Sequence, residues 1–224
     1  MPRGPQARPV SHSHWLARIK NCGFRVLGHA ARALTGPSVK PSLEEFRTLS
    51  QRGNVVPLYA QLAADFETPL TAFLKIRDGK HAFLLESAES TDASGRWSMV
   101  GSGPRAIFEA RGGEITIRRG REVETFAAEQ DMLAELEKFM GRFEPVTHGD
   151  APPFFGGAVG YLSYDGVRHF EPSIGDSPPD DLGLPDALFM IADSVLLFEH
   201  KLRRLLVGAN AFLVEDVAPG EGEG

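Results

Sequence analysis

The sequence predicts an α+β fold built mostly on antiparallel sheet, as one large sheet or two packed sheets, with two or three helices. Three observations carry this expectation. About nine or ten short runs with strand character follow one another at close spacing. Gly-Gly, Arg-Gly and Asp-Gly pairs fall between several of them, where hairpin turns belong. There is no strand–helix–strand alternation, which argues against a doubly wound nucleotide fold.

The body opens on a helix. In Pro41-Ser42-Leu43-Glu44-Glu45-Phe46, Ser42 is placed to cap, Glu45 completes a capping box, and both glutamates suit the positive helix end. Leu43, Phe46 and Leu49 recur at helical spacing, and Gly53 ends the run. A second short helix is expected over Leu58–Asp65. From Pro69 the residues Leu70, Ala72, Leu74 and Ile76 alternate with Thr71, Phe73, Lys75 and Arg77, which predicts a strand, with Asp78-Gly79 as the turn into a returning strand His81–Glu86. Strands follow at Arg96–Gly101, Arg105–Arg111, Glu114–Arg118 and Glu122–Phe126. Glu129–Phe143 predicts an amphipathic helix with Met132, Leu133, Leu136, Phe139 and Met140 as its apolar stripe. Phe154–Leu162 is an apolar, glycine-bearing strand, Pro172–Pro185 a long acidic loop, and Leu188–Glu199 with Leu202–Ala209 a hairpin around His200-Lys201.

Composition bounds the functional classes. With 42% hydrophobic and 24% charged residues over 224 positions, the chain can bury a real core. No stretch approaches 18 consecutive apolar residues, so no membrane span is expected. A single cysteine, Cys22, excludes an intrachain disulfide and fits a reducing compartment, hence the cytoplasm. The net charge of −6 hides an asymmetry: residues 1–40 hold seven Lys/Arg and no acid, leaving 17 of the 24 basic residues against all 30 acids. So acidic a body lacks the concentrated basic face that nucleic-acid binding requires. The basic stretch 1–38 is expected to be a disordered head or sequence upstream of the true start, with a transit peptide as the other reading. Residues 39–213 form the body, and residues 214–224 a linker or frayed end.

Two segments could carry chemistry. Leu84-Leu85-Glu86-Ser87, followed by Gly95-Arg96-Trp97-Ser98, taken alone is an ordinary strand end and turn. It also holds what a zwitterionic amino acid needs: a carboxylate for the ammonium, a hydroxyl for the carboxylate, and leucines to wall an apolar slot. The second segment runs from Phe154 through Gly156, Gly157 and Gly160 to Tyr164, Asp165, Arg168 and Glu171. Its glycines match no phosphate loop and suggest a close backbone approach, followed by a buried Tyr/Asp/Arg hydrogen-bond cluster. The seven histidines show no metal-ligand spacing, and no Ser-His-Asp or Cys-His set can be assembled, so no catalytic residue and no metal ligand is named.

The order of six motifs adds a resemblance. Pro41–Phe46, Asn54-Val-Val-Pro57, Glu67-Thr-Pro69 with Ala72–Lys75, Leu84–Ser87, Gly95–Ser98, and Gly156-Gly157-x-x-Gly160-Tyr-x-x-Tyr164-Asp165-x-Val-Arg168-x-x-Glu171 together resemble component I of anthranilate synthase, from about Lys40 to about Leu213. The resemblance implies an incomplete two-sheet sandwich of the anthranilate synthase type. It further implies conversion of chorismate and ammonia to anthranilate and pyruvate, Mg²⁺ as cofactor, a glutamine amidotransferase subunit as partner, and feedback inhibition by L-tryptophan. Carried over by position, Leu85, Glu86 and Ser87 are the expected tryptophan-binding residues, with Gly95–Ser98 nearby. The residues that bind chorismate and magnesium in that family belong to a C-terminal half with no counterpart here. The chain is therefore expected to be a tryptophan-sensing part, inactive by itself, that binds tryptophan weakly or not at all when alone. The alternatives are the corresponding part of aminodeoxychorismate synthase component I and a non-catalytic tryptophan-binding module.

Overall fold

The computed structural model describes residues 39–65, 67–77, 79–86, 97–147, 149, 154–175 and 179–213. The expected head 1–38 and the end 214–224 lie outside the described residues. Two strand-rich units emerge. The first combines residues up to Pro104 with Phe143–Gly156 and the segment from Ala192 onward; the second combines Arg105–Arg142 with Gly157–Ile191.

The first unit holds a six-stranded sheet. Its strands are β1 (Val39–Lys40), β2 (Val55–Ala63), β3 (Ala82–Glu86), β4 (Trp97–Ser102), β10 (Ser194–Glu199) and β11 (Arg204–Phe212), in the order β1-β2-β11-β10-β4-β3. Every neighbouring pair is antiparallel. The longest pairing runs from Arg204 opposite Ala63 to Phe212 opposite Val55. Two helices accompany this sheet. Helix α1 (Leu43–Leu49) has the expected capping box, with Ser42 Oγ accepting from the Glu45 amide and Glu45 Oε2 accepting from the Ser42 amide at 2.8 Å. Its Phe46 and Leu49 join Ala72 and Ile76 of helix α2 (Pro69–Ile76) in one buried cluster with Val56, Leu58, Val100, Leu196, Phe198 and Val207 from the strands.

Two expectations in this unit are overturned. Pro69–Ile76 is a helix, not a strand, because Thr68 and Thr71 cap it reciprocally and Pro69 occupies its first turn. The apparent alternation dissolves accordingly: Ala72 and Ile76, four apart, are buried, whereas Leu70 and Leu74 are more than half exposed. Conversely, the helix expected over Leu58–Asp65 is absent, and β2 runs through it. Every residue from Val55 to Ala60 is buried, a continuous apolar run that suits a strand covered on both faces as well as it suits a helix.

The second unit holds a five-stranded sheet of β5 (Ala106–Arg111), β6 (Glu114–Arg119), β7 (Glu122–Ala127), β8 (Gly157–Leu162) and β9 (Ala187–Ala192), in the order β7-β6-β5-β9-β8. The two-residue turn between β5 and β6 has both Gly112 and Gly113 at positive φ, as such tight hairpins require. Helix α3 (Met132–Met140) is shorter than expected. Asp131 caps it with bonds of 2.9 Å to the amides of Leu133 and Ala134, and Gly141 closes it. Its stripe also shifts: Met132 and Phe139 are buried but Leu133 is exposed, and the buried Glu135 replaces it by accepting from the Glu129 amide at 3.0 Å.

Three further expectations are corrected here. The single strand foreseen at Leu188–Glu199 is two strands in different sheets, broken around the buried Asp193, which carries a bond of 3.2 Å from Ser194. The strand foreseen from Phe154 begins only at Gly157. The cluster after β8 is not buried: residues Tyr164–His169 form a 3₁₀ turn in which Arg168 bonds Asp165 at 3.1 Å, but Tyr164 stands 93% exposed. The overall class holds: an α+β chain with two antiparallel sheets.

Candidate functional site

Strand β3 is an edge strand, and its last residues are Leu85 and Glu86. Pairing with β4 sets Leu85 opposite Met99 and Glu86 opposite Ser98. Because side chains alternate along a strand, Leu85 and Glu86 leave opposite faces of the sheet. Leu85 lies on the side of Phe83 and is 46% exposed. Glu86 lies on the side of Leu84 and Val100, which is the side packed by α1 and α2. Ser87, the third expected residue, lies outside the described residues, as do Gly95 and Arg96.

Glu86 sits at the rim of that helix-covered face with its carboxylate exposed. Its Oε1 accepts a hydrogen bond from Ser98 Oγ at 3.3 Å. Ser98 is 1% exposed and sits between two strands, opposite Glu86 on one side and Phe198 of β10 on the other. His200 is two residues beyond Phe198, at the hairpin between β10 and β11, and its Nε2 lies 2.7 Å from Ser98 Oγ. Of the stretch Gly95–Ser98 that was expected near the tryptophan-binding residues, Ser98 is the one paired across from Glu86. His200 was legible only as a hairpin residue. Its period-two relation to Phe198 places it on the core side, but the β4–β10 pairing that brings Ser98 beneath it spans about a hundred residues.

Chemically, this corner presents one carboxylate oxygen held by a hydroxyl and a second with no bond to a described residue. A carboxylate has room for about four hydrogen bonds, so Glu86 can still accept from an ammonium. Leu85 faces away from that carboxylate, so a single slot cannot use both side chains from one face.

The glycine-bearing segment is structural. An added Cβ on Gly160 would stand 1.9 Å from the Leu188 carbonyl oxygen and 2.7 Å from Phe189 Cα, so β8 approaches β9 as only glycine permits. On the same edge strand and the turns after it, Tyr161, Leu162, Val167, Phe170 and Ile174 are exposed apolar side chains. The Mg²⁺ that the resemblance implies finds no cradle here: among the described residues no three His, Cys, Asp or Glu side chains converge. Among the described residues, no helix is long and apolar enough to cross a membrane, which says nothing of a β-barrel.

A family model described as chorismate binding enzyme matches residues 80–219, from β3 to beyond β11. That span exceeds half of the chain, and the chain belongs to the chorismate-binding enzyme family. Within it, the chain is similar to anthranilate synthase component 1 of Pseudomonas putida, at 41% identity over 160 residues, covering 70% of this chain and 32% of that protein. It is likewise similar to anthranilate synthase component 1 of Thermus thermophilus, at 44% identity over 154 residues, covering 67% and 31%. A crystal structure of anthranilate synthase component I from Streptococcus pneumoniae TIGR4 aligns with 70% of this chain and 31% of its own, at 24% identity and a TM-score of 0.40. The likeness carried by the six motifs is borne out by these relatives, of whose length the chain spans about a third.

Proposed function

We propose that this chain is the tryptophan-sensing part of a cytoplasmic anthranilate synthase component I, and that chorismate chemistry requires residues it does not contain. The observation that supports the reading best is the placement of Glu86. The most acidic point of the Leu-Leu-Glu-Ser segment sits at the end of an edge strand, exposed, with one oxygen steadied by Ser98 and the other making no bond to a described residue. That is an arrangement an ammonium can use. The relatives quoted above are all named anthranilate synthase component 1, which favours the tryptophan pathway over the folate one. The effector site takes Glu86 and Ser87 as its polar contacts; Leu85 belongs to the wall of the opposite face.

Two observations support the catalytic part of the reading. The chain covers about a third of its relatives. The β8 edge with its exposed Tyr161, Leu162, Val167, Phe170 and Ile174 is also the kind of apolar surface that another protein segment normally covers. In this reading magnesium and chorismate are bound by that further segment, an amidotransferase subunit supplies ammonia, and tryptophan binding at the β3 end biases the packing that catalysis needs. The experiment is direct. Purified chain mixed with chorismate, Mg²⁺ and ammonium is expected to give no anthranilate fluorescence, and clear turnover refutes the claim that the chemistry lies elsewhere.

A further inference from the structure

We propose that Ser98 and His200 are positioning residues for the Glu86 carboxylate, and that His200 thereby sets the affinity of this corner for an amino-acid effector. The inference rests on the effector-site reading above and goes beyond it, because neither residue belongs to the segment that reading uses.

The geometry supplies the argument. Ser98 Oγ lies within bonding range of both Glu86 Oε1, at 3.3 Å, and His200 Nε2, at 2.7 Å. A serine hydroxyl has one hydrogen to donate. An ionised carboxylate can only accept, so that hydrogen goes to Glu86. In the proposed arrangement Ser98 Oγ then accepts from His200, with the histidine hydrogen assigned to Nε2; the 2.7 Å contact fits either direction, and the assignment is what the Nε2 proton below tests. The three side chains form a one-directional relay: imidazole N–H to hydroxyl, hydroxyl to carboxylate. Each donor polarises the next, so the His200 bond strengthens the hold of Ser98 on Glu86. Ser98 is buried and fixed between β3 and β10, whereas Glu86 and His200 are at the rim. A buried hydroxyl gripped from one side by a hairpin histidine is a rigid point from which to aim an exposed carboxylate. Without it, Glu86 at the end of an edge strand samples several rotamers, and a ligand must order it on binding.

The arrangement also ties the β10–β11 hairpin to the end of β3. β11 is a central strand paired with β2 over its whole length. An effector that draws on Glu86 therefore pulls on the turn of a central hairpin, not merely on an edge.

The test uses the 224-residue chain, isotopically labelled, titrated with L-tryptophan and followed by NMR chemical shifts. The wild type is expected to saturate weakly, with a dissociation constant of roughly millimolar order. His200→Ala and Ser98→Ala are each expected to weaken binding roughly tenfold, the order expected for losing a hydrogen bond to a charged group. His200→Gln keeps an N–H donor at similar reach and is expected to restore affinity to within about twofold of the wild type. His200 is exposed, so its variants keep the fold even where Ser98→Ala disturbs it. The imidazole Nε2 proton gives a readout that mere structural support does not move: a protected, downfield-shifted Nε2–H is expected in the wild type, and its loss of protection against exchange with water in Ser98→Ala, where it has no hydroxyl to bond. Unchanged affinity in His200→Ala, or equal loss in His200→Ala and His200→Gln, overturns the proposal while leaving the effector site standing. The sequence alone leaves room for no binding by the isolated chain, but the Ser98 bond on Glu86 commits the reading to weak binding; a wild type that shows no saturable shifts therefore overturns the effector reading, and this inference with it.

Discussion

Replacing Gly160 with alanine tests the close approach of β8 to β9. The new Cβ would stand 1.9 Å from the Leu188 carbonyl oxygen, a rigid backbone atom, and 2.7 Å from Phe189 Cα. Ordinary van der Waals contact begins near 3.4 Å, so the strands must part by about an ångström or more. That separation lengthens the hydrogen bonds flanking the site past useful range. Overpacking typically costs about 1–3 kcal/mol, and each weakened ladder bond adds about 0.5–1.5 kcal/mol. Against this stands a gain of about 0.4–1 kcal/mol from restricting the unfolded chain. The net expectation is a loss of about 2 kcal/mol. With a urea slope of about 2 kcal/mol per molar, the unfolding midpoint falls by about 1 M. Gly208→Ala is the control: its Cβ meets the Phe155 ring edge at 2.9 Å, a side chain that can swing aside, so its shift is expected to be less than half as large. A Gly160→Ala midpoint equal to wild type refutes the close approach.

Other outcomes follow from local features. Thr68→Ala removes the cap that turns Pro69–Ile76 into a helix; a loss of about 1 kcal/mol in urea unfolding is expected, and no loss would restore the strand reading. Glu171 is held below the ordinary glutamate range by the Ser173 hydroxyl at 2.6 Å and then by the Ser173 amide. Its folded pKa is thus depressed, so the small stabilisation it brings is present above the unfolded pKa and is lost as pH falls through the folded one. Carboxyl NMR titration is expected to find Glu171 low in the wild type and higher in Ser173→Ala, which loses the hydroxyl but keeps the amide; identical curves would exclude the hydroxyl as the cause.

Much of this architecture was legible because it is local. The Ser42–Glu45 box and the Gly112-Gly113 turn between β5 and β6 act within a few residues, and each is found where the sequence puts it. The Thr68-Pro69 helix start was equally local, yet a fortuitous alternation of Leu70, Ala72, Leu74 and Ile76 masked it; cap chemistry was the better guide. β2 could not be decided from pattern, since a run buried at every position has no period to read. The split at Asp193 depends on which sheet each half joins, a non-local choice. The candidate site divides the same way. Glu86 at a strand end was readable from Leu-Leu-Glu-Ser. The Ser98–His200 contact was not, because it depends on the register of β4 against β10. That Leu85 and Glu86 face opposite sides follows from the period of two alone.

The effector site is tested most directly by asking which amides of the chain respond to L-tryptophan. Two-dimensional NMR of the labelled chain is expected to show saturable shifts concentrated at Glu86, Ser87 and Ser98, with a smaller response at Leu85 and none along the β8 edge. Shifts that leave the end of β3 untouched and gather elsewhere, or glycine producing the same changes as tryptophan, would contradict a tryptophan site at this corner.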